Sequence, residues 1–435
     1  MLKKVLVITY YWPPSAGAGV YRWLKFVKYL RNYGWEPIIY TPLNPETPAV
    51  DETLLNEIPE NITVIKTSIW EPYFLYKKLL GLKKHEKINA GFLNETYKPK
   101  LIEKLATWLR GNLFIPDPRM FWIRPSVKYL KEYLSKNKID AIVSTGPPHS
   151  THRIALKLHR LTKIPWLADF RDPWTGIDFY HKLMLTRIAD KLHHKQEQEV
   201  LQEADIVVTV SKNWAKDLEL ICNRSVNVVY NGFDEVDFID LKNIYPEKFR
   251  LSHIGALNKD RNPQFFWEVL AEIINENPKF ADDLEIQLVG KTDISALEDI
   301  KNNKLNNYTK IVKYLTHKEA IKHEFGSAVL LLFVNNTPNS LGIVPGKLFE
   351  YLATLRPILC IGPLNGDSAT IIKEANAGEI VEFQDKQSLK KIIYKLYADF
   401  LAGKFVNVNS DKLSKFNRKY LTGEIASLLN DIITK

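Results

Sequence analysis

Short apolar runs alternate with amphipathic stretches along most of the chain. Val5–Tyr10 is a near-continuous apolar run, the pattern of a strand buried on both faces of a parallel sheet. Beyond it Val20, Leu24, Val27 and Leu30 recur at helical spacing, and Arg22, Lys25, Lys28 and Arg31 mark the wetter side of the predicted helix. Gly34 ends that helix, and Glu36–Thr41 reads as the next strand. The alternation continues with strands at Ala141–Ser144, Pro165–Asp169 and Ile206–Val210, and helices at Ser150–Leu161 and Lys182–Glu203.

A second run of the same kind follows. It predicts strands at Arg250–Ile254, Leu284–Val289, Ile311–Tyr314, Ala328–Phe333 and Pro357–Ile361, with helices at Gln264–Asn275, Lys318–Phe325 and Lys347–Leu355. Strands alternating with helices indicate doubly wound parallel sheets, here two Rossmann-like halves with a cleft between them. The turn Asn231-Gly232-Phe233-Asp234 and the punctuation at Asn243–Pro246 place the seam near 235. Residues 66–138 fit neither pattern. They are rich in aromatics and lysines, carry an amphipathic stretch at Leu101–Leu113, and are expected to form an insertion or lid in the first half.

At 435 residues, 45% hydrophobic and 25% charged, the chain suits two soluble domains with sizeable cores. Cys222 and Cys360 have neither disulfide nor metal spacing, which favours a reducing compartment. The apolar run after Met1 is too short for a signal peptide, and no stretch reaches the ~18 apolar residues of a membrane span, so the expectation is a cytoplasmic protein. The net charge of +10 is unevenly placed: residues 1–200 hold 31 of the 60 Lys and Arg but 19 of the 50 Asp and Glu. A basic first half suits phosphorylated substrates, an anionic membrane or nucleic acid; a merely solvated lysine-rich surface is the bland alternative.

Four segments carry candidate chemistry. Trp12–Gly19 joins the first strand to its helix, and Gly17 and Gly19 would let backbone amides approach a ligand, or simply make a tight turn. It is not the dinucleotide fingerprint, because Arg22 stands where a third glycine belongs and no acidic residue ends the next strand. Ser144–His149 and Ala168–Trp174 lie at carboxyl ends of strands, where α/β sheets bind ligands. His149 there suits hydroxyl activation, and Arg171 with Asp172 suits either a polar pocket or an internal ion pair. Gly255 followed by Lys259 and Arg261 resembles a phosphate clamp. In Asn339–Ala353, Gly342 and Gly346 flank Pro345 before a helix whose amides and Lys347 could hold a pyrophosphate, with Glu350 placed to accept hydrogen bonds from a ribose.

Together these segments resemble the retaining glycosyltransferases of the GT-B fold, specifically family four and a branch found in bacterial surface-polysaccharide synthesis. The resemblance implies two Rossmann-like domains at 1–235 and 236–412, with residues 413–435 returning to the first. It implies a nucleoside-diphosphate sugar, UDP- or GDP-linked, bound by Gly17, Gly19, Gly255, Lys259, Arg261, Ser340, Gly342, Gly346, Lys347 and Glu350. His149, Arg171 and Asp172 fall on the acceptor side, and His149, Asp172, Arg261 and Lys347 are the expected catalytic groups. Ala256 departs from the family's usual arginine. Gly342 stands where the first of two glutamates is usual, which leaves open what contacts the donor sugar. No metal and no cofactor are expected, since no Asp-x-Asp pair is present. The expected acceptor is a glycan or a polyprenyl-diphosphate-linked glycan, met at the inner face of an anionic membrane by the basic, aromatic region; nucleic acid is not an expected partner. A nucleotide-sugar epimerase of the same fold and a non-catalytic carbohydrate- or nucleic-acid-binding protein are the competing readings.

Overall fold

The structure, a computed structural model, describes residues 2–47, 49–72, 101–241, 245–313, 315–404 and 410–434. It divides into two compact units, Met1–Tyr230 with Arg418–Lys435, and Asn231–Asn417.

Unit 1 is built on seven parallel strands, β1 (Lys3–Ile8), β3 (Trp35–Pro42), β5 (Thr63–Thr67), β6 (Ala141–Gly146), β7 (Trp166–Phe170), β8 (Ile206–Thr209) and β9 (Asn227–Val228). Their order is β5-β3-β1-β6-β7-β8-β9, and a small antiparallel pair, β2 (Ser15–Ala16) with β4 (Ala49–Val50), stands beside the sheet. Val5 lies opposite Pro37 on one side and Ala141 on the other, so the strand order reverses at β1. The carboxyl ends of β1 and β6 are therefore where this sheet opens a crevice.

The apolar strands are continuous because both faces are covered. Leu6, Ile8, Ile142 and Trp166 pack in one core with Trp122 and Leu130, while Val5, Val7, Val143 and Leu167 pack in another with Leu24, Val27, Ile425 and Leu429. The second core buries the helix Ala18–Leu30 on more than one side, and this corrects the sequence reading of its polar positions. Arg22 and Lys25 are buried, Lys25 paired with Glu57 at 2.6 Å.

The insertion expected at 66–138 is also corrected in part. Trp122 of the helix Met120–Lys136 stacks on Tyr40 with centroids 5.2 Å apart and donates to Thr67 Oγ1 at 3.1 Å. That helix is the crossover into β6 and belongs to the core. The helix Leu101–Leu113 does expose apolar side chains, whereas residues 73–100 lie outside the described residues. The helix expected at Lys182–Glu203 begins instead at Arg187, where Thr186 caps it by accepting from Ala189 N–H; Met184, in the left-handed region, ends the preceding 3-10 turn Tyr180–Leu183.

Unit 2 has six parallel strands, β10 (Phe249–Ile254), β11 (Leu284–Val289), β12 (Thr309–Val312), β13 (Val329–Phe333), β14 (Ile358–Ile361) and β15 (Gly378–Val381), in the order β12-β11-β10-β13-β14-β15. The reversal falls between β10 and β13. Tyr314, expected to end β12, lies outside the described residues. β14 and β15 approach so closely that a Cβ on Gly378 would stand 1.9 Å from Ile358 O. Leu413–Asn417, expected to start the returning segment, stays in unit 2: Phe233 N–H donates to Phe416 O at 3.0 Å, and Phe416 packs on Phe349. The return itself is the helix Arg418–Ile433, which buries Leu421, Ile425 and Leu429. Among the described residues no helix is long and apolar enough to cross a membrane.

Candidate functional site

In unit 1 the loops after β1, β6 and β7 are tied together by buried charge. Asp169, at the end of β7 and fully buried, accepts from Arg22 Nε at 3.1 and 3.2 Å and from Nη2 at 2.9 Å. It also accepts from Trp23 Nε1 at 2.7 Å and Thr145 Oγ1 at 2.9 Å. Burial alone would raise its pKa, but the Arg22 charge and these donors outweigh it and hold the carboxyl below its ordinary value.

Arg171 donates from Nη1 to Gly19 O at 3.0 Å and from Nη2 to Pro147 O at 3.1 Å, with Asp172 3.6 Å from Nε. Its guanidinium thus holds two loops to each other. Gly19 is explained by the same contact, since a Cβ there would meet Arg171 Nη1 and Tyr11 Cδ2 at 3.0 Å. Gly17 precedes the helix at φ 113°, a conformation that favours glycine.

Beside these loops lies a pocket of about 200 Å³ lined in part by Tyr11, Arg110, His149, Asp172, Trp174 and Tyr180. His149 stacks flat on Trp174 with centroids 4.6 Å apart. Trp174 Nε1 donates to His193 Nδ1 at 3.1 Å, so neutral His193 carries its proton on Nε2 and donates it to Gly111 O at 3.2 Å. Buried Glu197 accepts from the backbone N–H of Trp174 and Thr175 and from Thr175 Oγ1, fixing the loop. His149 Nδ1 and His152 Nε2 have no hydrogen-bond partner among the described residues, and both point at Gly146, where a Cβ would lie 3.1 and 2.6 Å away. Burial, then His152, His193 and Arg171, hold His149 well below the ordinary histidine range, and burial brings His152 down to about 3. Asp172 is partly exposed at the pocket wall.

In unit 2 the residues gather at the carboxyl ends of β10 and β13. Gly255 follows β10 at φ 103°, and a Cβ on it would stand 3.0 Å from Lys347 Nζ. Lys347 Nζ lies 3.2 Å from His253 Nε2; the Nδ1 of that ring is 3.1 Å from Leu331 O and donates to it, which leaves the Nε2 lone pair for the lysine. Arg261 donates from Nε to Asn335 Oδ1 at 2.9 Å and from Nη1 to Ala256 O at 3.0 Å. The helix Lys347–Thr354 is docked on β10 by Tyr351, whose hydroxyl accepts from Ile254 N–H at 3.0 Å. Leu348 and Phe349 N–H already donate to Pro345 O and Gly346 O, so among the described residues the amides without a backbone acceptor at this helix start are those of Gly346 and Lys347. Glu350 Oε1 lies 2.9 Å from His317 Nε2, a side chain from the helix His317–Phe325.

Thus Gly255, Arg261, Lys347, Gly346 and Glu350 come together around the carboxyl end of β10. Lys259 is exposed on the 3-10 turn Lys259–Arg261. Ser340 and Gly342 form another such turn, in which Ser340 and Gly342 N–H donate to Thr337 O and Asn339 O; their amides are therefore occupied. Sequence reasoning did not single out Asp169, Glu197, His253, His317 or Glu324. Glu324 is fully buried, and neither carboxyl oxygen has a hydrogen-bond partner among the described residues. An acidic residue inside an apolar helix face was the available signal.

Residues 92–236 match the model of Glycosyltransferase Family 4. No curated protein is similar enough in sequence to match. Among solved structures the chain is similar to sucrose-phosphate synthase from Thermosynechococcus elongatus, at 13% identity and TM-score 0.64 over 99% of each chain. It is similar to Anabaena HepE in complex with UDP-glucose, at 13% identity and TM-score 0.63 over 98% of this chain and 99% of that one. A TarM mutant from S. aureus, in complex with Fondaparinux, alpha-GlcNAc-glycerol and UDP, matches over 100% of both chains at 10% identity and TM-score 0.61. At these identities the likeness is one of fold.

Proposed function

We propose that the chain is a glycosyltransferase of the GT-B fold and the family-four type, and that it moves a sugar from a UDP- or GDP-linked donor to a hydroxyl with retention at the anomeric carbon. The observation that carries this reading is the convergence of Gly255, Arg261, Lys347 and Glu350 at the reversal point of the second sheet. As the glycosidic bond breaks, charge grows on the departing diphosphate. Arg261, Lys347 and the open amides of Gly346 and Lys347 are preorganised to meet it without a metal. Glu350 accepts from the ribose hydroxyls, and His317 holds its carboxylate in place.

No side chain in unit 2 is assigned as a covalent nucleophile. The acceptor oxygen attacks the same face from which the nucleoside diphosphate leaves, through an oxocarbenium-like state, and its proton departs with the product diphosphate. In unit 1, His149 is held neutral with Nδ1 turned toward Gly146, which leaves Nε2 to orient the acceptor hydroxyl. A histidine so depressed is a weak base, so its part is orientation more than full deprotonation.

The surroundings of the unit 1 pocket support a reading of the acceptor class. Arg110 and Gly111 of the helix Leu101–Leu113 line it; the same helix exposes Leu101, Leu105 and Trp108, and the helix Arg187–Glu203 that packs on it exposes Ile188 and Leu192. Exposed Lys104, Arg187 and Lys191 border these apolar residues. A largely apolar cavity with His149, Asp172 and Arg110 in its wall, close to a helix that exposes apolar and basic side chains, suits a lipid-linked glycan met at an anionic membrane, as in surface-polysaccharide synthesis.

Thermal protection by nucleotides, with Mg²⁺ and with chelator, tests the donor site. A ligand at a hundred times its dissociation constant adds about 2.7 kcal/mol. Protection by UDP or GDP that survives chelation and is lost in Glu350→Ala is the expected result; no protection by any nucleoside diphosphate would sink the reading. Product analysis with the sugar nucleotide alone separates a transferase from an epimerase, which would release a new sugar nucleotide without an acceptor.

A further inference from the structure

Lys347 sits in a peculiar electrostatic setting. Among the described residues no carboxylate lies within ion-pair distance of Nζ. Its neighbour at 3.2 Å is the lone pair of buried His253, whose other nitrogen is committed to Leu331 O. The Arg261 guanidinium, anchored on Asn335 and Ala256, adds like charge from the turn after β10.

The acidic groups near Lys347 are held back from it. Glu350, on the same helix, faces His317 at 2.9 Å. Glu324, on the adjoining helix His317–Phe325, is fully buried and makes no hydrogen bond among the described residues. Tyr351 is engaged with Ile254 N–H. The 3-10 turn Glu235–Leu241 also packs on this helix and brings exposed Glu235 and half-buried Asp237.

We propose that Lys347 takes up a proton when a nucleoside diphosphate enters the site. This rests on the donor-site reading above. An amine set against a neutral imidazole, with no carboxylate at ion-pair distance among the described residues, is poorly placed to stay charged. An arriving diphosphate supplies the missing negative charge, and the amine becomes an ammonium with a proton from solvent. The directions of titration agree. Burial and then Arg261 push Lys347 well below the ordinary lysine range, with Glu324 and Glu350 opposing; burial and then Glu350 push Glu324 well above the carboxylate range.

The test is calorimetry of the full chain with UDP and with GDP, in two buffers of different ionisation enthalpy, at a pH above the titration of the nucleotide's terminal phosphate. Wild type should take up as much as about one proton per nucleotide, and its Kd should rise by up to about tenfold per pH unit across the linked range. Lys347→Arg, permanently charged, should bind without uptake. Burial without a hydrogen bond favours the protonated form of Glu324, whose charge Glu324→Gln preserves, so proton uptake should persist in this variant; uptake abolished by it would move the titration to Glu324 and overturn the proposal. Binding whose enthalpy is the same in both buffers, or uptake that persists in Lys347→Arg, overturns the proposal and leaves the donor site standing. Failure of both nucleotides to bind overturns the donor site itself.

Discussion

Replacing Asp169 with alanine should uncouple the first unit's loops and cost more stability than any surface change. The side chain is fully buried and neutralises Arg22, which is as deeply buried; the two residues are 147 positions apart in the chain. Removing one partner of a buried ion pair typically costs about 3–5 kcal/mol, because the remaining charge is stranded. The indole of Trp23 and the hydroxyl of Thr145 lose their acceptor as well, adding about 1 kcal/mol or more. The total is about 4–6 kcal/mol, and for a unit of this size each kcal/mol shifts Tm by about 2–4 °C, so a fall of roughly 8–24 °C is expected. Thermal unfolding followed by tryptophan fluorescence reads it directly, since Trp23 is one of the groups released. Protection of unit 2 by UDP should survive in the same variant while sugar transfer is lost. An apolar pair, Arg22→Met with Asp169→Leu, should regain most of the stability. A single-variant cost below about 1 kcal/mol, or a double variant that simply adds two losses, would refute the account of a desolvated charge pair. The pH dependence has a definite sign. The folded carboxyl is held below its unfolded value, so its contribution is complete above about pH 4 and is lost only as pH falls through the lower folded value.

Other outcomes follow from the same geometry. His152 is held neutral down to about 3, so the unfolded chain binds the proton first: stability should be complete above about pH 6.5 and fall by roughly 1.4 kcal/mol per pH unit below it, a slope that His152→Asn should lessen in chemical denaturation. Gly255→Ala forces a side chain onto φ 103° and 3.0 Å from Lys347 Nζ; at about 1–3 kcal/mol of strain, UDP affinity should drop about five- to 150-fold by calorimetry. Tyr351→Phe leaves Ile254 N–H buried without its acceptor and should cost about 1–3 kcal/mol in denaturant unfolding. Flotation with anionic liposomes should carry the wild-type protein at low salt and much less of Leu105→Glu with Trp108→Glu; equal flotation would remove this helix from the membrane-facing surface.

Much of the frame was legible locally. The strands β1, β11 and β13 are apolar runs bounded by glycine or polar residues, and the helix Ser150–Thr162 departs from the expected Ser150–Leu161 by one residue. The Gly255 turn and the Lys347–Thr354 helix start were readable too, because a positive φ and a helix terminus are properties of a few consecutive residues. The misjudged elements share a cause. Arg22 and Lys25 follow the pattern of an exposed helix face, yet both are buried, Arg22 on Asp169 at the end of β7 and Lys25 on Glu57, partners far away in the chain. Likewise Met120–Lys136 has the composition of a lid, but Trp122 finds Tyr40 and Thr67 and becomes core.

Periodicity, turn chemistry and charge balance thus settle the α/β alternation, the two halves and the positions of the strand-end loops, since each depends on neighbours in the chain. Which charges are paired, and which are left waiting, depends on distant neighbours. Asp169 meets Arg22, His253 meets Lys347, and Glu324 is left without a hydrogen bond among the described residues only once sheets and helices have excluded water around them. The free energy of a buried charge is set by that exclusion and by the partner it is given across the fold, and neither quantity is written in any short stretch of residues.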